Sequence, residues 1–171
     1  MADRLIDEKL TKSVIGAFFE VYNTLGFGFL EHIYVMALER ELRARNHEVA
    51  REVGIRVLYK GEELGTQRID MLIDHKLVIE TKSTLQLHPA ATRQVYNYLR
   101  ATNIEVGLLL HFGPEPKFYR QVLSNKNKGG SRSGSASNPP NPRQVDIDDA
   151  ETKASTAGGP EPAPSSCLKY T

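Results

Sequence analysis

Gln67-Arg68-Ile69-Asp70-Met71-Leu72-Ile73-Asp74-His75-Lys76-Leu77-Val78-Ile79-Glu80-Thr81-Lys82 is the stretch that decides the fold. It holds two apolar runs suited to strands, around the polar turn Asp74-His75-Lys76. Charged residues occupy places where a core strand is normally apolar: Asp70 interrupts the first run, and Glu80 and Lys82 end the second. Side chains alternate along a strand, so Glu80 and Lys82 share a face. Asp70 joins them only if the hairpin register has the right parity. A three-residue turn sets Ile73 opposite Leu77 and Asp70 opposite Glu80, and two carboxylates and a lysine then share one side of a small sheet.

Such a grouping has a chemical use. Hard divalent cations take oxygen ligands, and one or two carboxylates often supply the protein's share. A nearby lysine can stabilise charge at a phosphate or help activate a water. The simpler reading is a surface hairpin with solvated charges, and the spacing D-x9-E-x-K does not by itself choose between the two.

The chain has 171 residues, an ordinary apolar content of 40% and a formal net charge of +1. It therefore lacks a global basic signal for nucleic acid, though not a local one. The single cysteine, Cys167, excludes an intramolecular disulfide framework and a cysteine-rich zinc site. No apolar run is long enough to span a membrane. The start, Met1-Ala2-Asp3-Arg4, lacks the apolar stretch of a secretory signal, so a cytoplasmic protein is expected.

Outward from the hairpin, residues 7–25 have helical spacing, with Leu10, Val14, Phe18, Val21 and Leu25 in one stripe. Gly26 and Gly28 end it. A second helix is expected over residues 30–45, with Glu31, Tyr34, Leu38 and Leu42 on one face. Glu31 thus shares a side with two leucines; its plainest role is that of a carboxylate favoured by a helix N-terminus. Val53, Ile55, Val57 and Tyr59 alternate as a strand does, and Lys60-Gly61-Glu62-Glu63 reads as a turn. After Lys82, Pro89 suits a helix start, and residues 90–101 form the helix. Gln94 and Tyr98 lie one turn apart on it. Residues 106–110 are nearly all apolar, as in a strand buried on both faces. Strand, helix and strand in that order predict a right-handed crossover and a parallel pair. A last strand covers 118–123. The expected fold is α/β, a mixed central sheet flanked by helices.

From Asn125 the composition changes. Six of the nine prolines lie beyond it, with many Ser, Gly and Asn and few large apolar residues. Such a segment buries too little surface to offset its ordering entropy. The expected division is a domain over residues 1–124 and a disordered tail over 125–171.

Gly28-Phe29-Leu30-Glu31-His32-Ile33-Tyr34 resembles the signature of the GxxExxY proteins. The resemblance extends through Tyr59-Lys60-Gly61, Asp70, Glu80-Thr81-Lys82 and Val106-Gly107-Leu108-Leu109-Leu110, and covers roughly residues 7–123. That family is placed in the PD-(D/E)xK nuclease superfamily. The resemblance implies a PD-(D/E)xK nuclease-like fold and a magnesium-dependent nuclease, with manganese able to substitute, that hydrolyses phosphodiester bonds of DNA or RNA. Its implied catalytic residues are Glu31, Asp70, Glu80 and Lys82. The metal would be held by Asp70, Glu80, the Thr81 backbone carbonyl and Glu31, directly or through water. Gln94 and Tyr98 resemble a Q-x3-Y element that positions substrate. Ile69 stands where the motif's proline often lies. The alternative is a catalytically silent module of the same fold that binds nucleic acid or a partner protein.

Overall fold

The computed structural model describes residues 6–129. Helices α1 (Glu8–Leu25) and α2 (Glu31–Ala44) come first, followed by strands β1 (Val49–Tyr59), β2 (Glu62–Ile73) and β3 (Leu77–Lys82). Helix α3 (Ala90–Ala101) then leads to β4 (Val106–Phe112), β5 (Pro116–Val122) and a short 3-10 helix, Asn125–Gly129. The five strands form one sheet in the order β1-β2-β3-β4-β5. Only β3 and β4 run parallel; the other neighbours are antiparallel. The mixed sheet flanked by helices and the crossover through α3 are as the sequence predicts.

Strand alternation divides the core. Met71, Ile73, Leu77, Ile79, Val106, Leu108, Leu110 and Phe112 face one way and pack with Val14, Phe18, Tyr34 and Leu38 of α1 and α2. Leu72 and Val78 face the other way, with Tyr98 and Leu99 of α3. β4 is buried along its whole length because helices cover both its faces, which explains its unbroken apolar run. Gly107 lets α3 approach: a Cβ there would lie 2.5 Å from Val95 Cγ1. Among the described residues, no helix is long and apolar enough to cross a membrane.

Two expectations need correction. Glu62 and Glu63 belong to β2 rather than a turn, paired with Tyr59 and Leu58. β1 begins at Val49, earlier than expected, and passes through a positive φ of 52° at Glu52. The described structure continues to residue 129. Lys128 Nζ donates to the carbonyls of Ile104 and Thr102 at 2.6 and 3.0 Å, fastening the 3-10 helix behind α3. The remainder of the expected tail, 130–171, lies outside the described residues.

The β2–β3 turn fixes the register. Lys76 N–H donates to the Ile73 carbonyl at 2.9 Å, and Ile73 pairs with Leu77. Asp74 and His75 both have positive φ, 50° and 55°, a geometry that suits the right-handed twist of a hairpin. Asp is among the few residues with a Cβ that enter this region, and the Asp74 carboxylate is tied to the segment that leads into β1. One oxygen accepts from Glu48 N–H at 2.8 Å; the other lies 2.8 Å from His47 Nδ1, whose Nε2 is 2.7 Å from Ser13 Oγ on α1. Asp74→Ala should therefore lower unfolding free energy by about 1–3 kcal/mol in denaturant titrations. Asp74→Asn, which keeps an acceptor for Glu48 N–H, should lose less. Equal stability of Asp74→Ala and wild type would show that the turn is not anchored this way.

Candidate active site at the parting of two strands

β2 and β3 pair only over Met71–Ile79, Leu72–Val78 and Ile73–Leu77. Beyond Met71 they diverge, while β3 continues beside β4 as far as Lys82–His111. Asp70 and Glu80, the next residues in register, stand where the strands part. The expected direct pairing is replaced by a side-chain bond: Thr81 N–H donates to Asp70 Oδ2 at 2.7 Å. The carboxylate thus satisfies a backbone donor left free by the divergence.

Glu80 is almost fully buried, at 1% exposed, and Lys82 donates to its Oε1. Glu80 Oε2 is buried with no hydrogen-bond partner. Glu31, the first residue of α2, lies with Oε1 4.0 Å from Lys82 Nζ and accepts the backbone N–H of Ser83. Glu31, Asp70, Glu80, Thr81 and Lys82 are therefore brought together from α2, β2 and β3.

Burial, followed by the negative charge of Asp70, pushes the Glu80 carboxyl up to about 7. Burial also raises Asp70, against the opposing Thr81 hydrogen bond and the charges of Lys82 and Arg51. Glu31 is raised by burial and Asp70, with Lys82 acting against the shift. For Lys82, burial favours the neutral amine, but the hydrogen bond to Glu80 and the charges of Glu80, Glu31 and Asp70 together hold it above the usual ammonium range. Lys82 is thus a cation amid carboxyls that resist ionisation.

Tyr98 lies on the face of β2 and β3 that α3 covers. It is 2% exposed, and its hydroxyl donates to the Arg68 carbonyl at 3.0 Å. Gln94 Nε2 donates in turn to that hydroxyl. Burial, and the charges of Glu80 and Asp70, push the phenol up to about 12. The Tyr98 hydroxyl thus braces β2 just before Asp70 and also interacts with the Glu80 carboxyl. Arg93, exposed on α3, lies over the Tyr96 ring, 5.9 Å from its centroid. Sequence reasoning missed Arg51 and His111. Arg51 acts on Asp70 from β1, and His111 Nε2 is 2.8 Å from the Thr84 carbonyl in the loop after Lys82. Only the strand register, which pairs Lys82 with His111, could have revealed the latter.

A family model described as the PD-(D/E)XK nuclease superfamily matches residues 8–122, most of the 171-residue chain. The chain belongs to that superfamily. Among solved structures, SSO0001 is similar, with a TM-score of 0.45 and 22% identity over 71% of this chain and 62% of that one. This chain thus spans less than two thirds of that protein's length. No curated protein matches. Nucleases of the superfamily generally use divalent metal ions, and the residues here fit one. The donors are oxygens, as a hard cation requires, and Glu80 Oε2 is a buried acceptor without a partner. Among the described residues no group of three His, Cys, Asp or Glu closes on one point. An ion held by so few protein oxygens would have to keep several waters.

The raised carboxyls set the pH dependence of the metal-free protein. A group whose folded pKa lies above its ordinary value binds its proton more firmly when folded, so ionisation opposes folding. For Glu80 the stabilising contribution is complete below its ordinary value of 4.5 and is lost as pH rises to about 7. In chelator-treated protein, stability should fall across that window, with Glu80 adding a slope of at most about 1.4 kcal/mol per pH unit. Glu80→Gln should flatten the profile and match or exceed wild type above pH 7. A Glu80→Gln profile parallel to wild type would remove Glu80 as the titrating group.

Proposed function

We propose that this PD-(D/E)XK superfamily member is a metal-dependent nuclease of the GxxExxY kind that hydrolyses phosphodiester bonds of DNA or RNA. One observation carries the reading: Asp70 and Glu80 meet where β2 and β3 part, with Lys82 bonded to Glu80 and Glu31 beside it. The Gly28, Glu31 and Tyr34 pattern supports the narrower family assignment. Tyr34 donates to the Gly26 carbonyl at 2.7 Å and accepts from Phe29 N–H at 3.2 Å, thereby setting the loop that delivers Glu31.

Asp70 and Glu80 would hold magnesium, or manganese in its place, with the Thr81 carbonyl and Glu31 contributing directly or through water. The bound ion supplies Lewis-acid stabilisation of phosphate charge and a more acidic water. The remaining work falls to Lys82. Held protonated, it serves as donor and positive charge rather than as base. Its ammonium carries three protons and is 24% exposed, so it can keep Glu80 and still donate to a phosphate oxygen. A water oxygen bonds to phosphorus and its proton leaves to solvent, while the P–O bond to the leaving oxygen breaks and that oxygen takes a proton from solvent, giving a phosphomonoester and a hydroxyl end. Gln94 acts on substrate only indirectly, through Tyr98 and the Arg68 backbone.

The silent-module alternative draws on the partial ligand set among the described residues. Cleavage of labelled single- and double-stranded DNA and RNA, with magnesium or manganese against a chelated control, separates the two. Wild type should cleave at least one polymer only with metal. Asp70→Asn and Lys82→Ala should each lower the rate by about 100-fold or more, and Glu31→Gln by less. Binding without turnover on every polymer would favour the silent module. Full activity in Lys82→Ala would remove the assigned site.

A further inference from the structure

Two loops meet beside the acidic site and expose large apolar side chains. The α1–α2 loop shows Phe29 and Leu30, 50% and 71% exposed; the loop after β3 shows Leu85, 72% exposed. Ser83 Oγ, one residue beyond Lys82, donates to the Phe29 carbonyl at 2.8 Å and joins the two loops. Glu31, next to Leu30, reaches Ser83 N–H from the same side. The apolar rim is therefore continuous with the cluster of Glu31, Glu80 and Lys82.

The rim is held in place. Phe29 meets the Tyr34 ring edge-on, with centroids 6.2 Å apart. Tyr34 stacks on Phe112 at 4.3 Å, and Phe112 packs edge-on against Phe18 at 4.7 Å. An aromatic column thus runs from the core to Phe29, whose outer surface is left to solvent. On the other loop, Thr84 accepts from His111 through its carbonyl and donates to the Gln86 carbonyl at 2.9 Å, which fixes the turn that presents Leu85. A rigid, half-exposed ring loses little entropy when something stacks on it.

We propose that Phe29, with Leu30 next to it and Leu85 on the adjoining loop, receives an unpaired base next to the phosphate held at the acidic site, so that the chain acts on single-stranded nucleic acid. The proposal rests on the phosphodiester reading and adds the form of its substrate. Every base offers a π face, so stacking is tolerant of sequence. In a duplex those faces are covered by neighbouring bases and cannot reach a ring at the rim.

The test is binding by the full chain in the Lys82→Ala background with magnesium, followed by fluorescence anisotropy. The probes are a single-stranded DNA, its RNA counterpart, a blunt duplex of the same sequence and an abasic oligonucleotide of equal length. The base-bearing single strands should bind at least about fivefold more tightly than the abasic strand or the duplex. Phe29→Ala should remove that margin and leave abasic binding unchanged, while Phe29→Tyr should restore it. Melting curves identify any variant that misfolds, and Leu85→Ala gives a second, loop-independent reading in which part of the margin is lost. Equal binding of base-bearing and abasic strands by the unsubstituted rim, no binding at all, or an undiminished margin in Phe29→Ala would each overturn the proposal. Base-dependent binding by a wild type that never cleaves would instead sustain the rim and overturn the catalytic reading.

Discussion

The structure turns on one buried ion pair. Glu80 follows three apolar residues of β3, and the sheet carries it into the interior, where Lys82 bonds one of its oxygens. Burying a carboxylate is unfavourable unless the charge is paired and hydrogen-bonded. Here the compensation is incomplete: Oε2 has no partner, and the acid is pushed up to about 7. A fold selected only for stability would place an isoleucine there. That incomplete satisfaction leaves a buried acceptor beside Asp70 and Glu31, the feature on which the proposed cation site rests.

The divergence of β2 from β3 makes room for this arrangement. A continuous ladder would bury the Asp70 and Glu80 backbones and press their side chains together. Parting after Met71 frees Thr81 N–H, and Asp70 takes it at 2.7 Å, so the opening does not leave an orphaned donor. Tyr98 holds the Arg68 carbonyl from the α3 side. The widened gap is thus braced from the sheet and from the helix packed on it, and the two acids sit on elements rather than on loops. Rigid support of this sort keeps charged groups at fixed separations.

Much of this was legible in the chain. The three helices, the parallel crossover and the two-sided burial of β4 follow from apolar spacing, and the three-residue turn sets the hairpin parity. Asp70, Glu80 and Lys82, which the structure brings together, were legible as charges in otherwise apolar strands. Other parts were not. Glu62 and Glu63 read as turn because acids are poor strand formers, yet pairing with Tyr59 and Leu58 at the exposed end of the hairpin overrides propensity. The start of β1 was hidden by Arg51 and Glu52, one held by Glu39 and the other in a left-handed conformation. Helical spacing gave Tyr98 a face but not its partners, Gln94 and the Arg68 carbonyl.

The same distinction explains the Gly28, Glu31 and Tyr34 spacing. Three residues from Glu31, Tyr34 returns to the same helix face and is buried. Its hydroxyl cannot reach water, so it must find partners inside, and it finds them in the loop before its own helix, at the Gly26 carbonyl and Phe29 N–H. Gly28 meets the chain's need for a φ of 119° between them, which a residue with a Cβ rarely adopts. The tyrosine therefore satisfies itself by shaping the loop that ends in Glu31. A phenylalanine would fill the same volume and still stack on Phe112, but it would leave the loop untied and Glu31 free to cap its own helix. The spacing is thus a constraint on where a carboxylate points, expressed through the hydrogen-bond needs of a buried phenol.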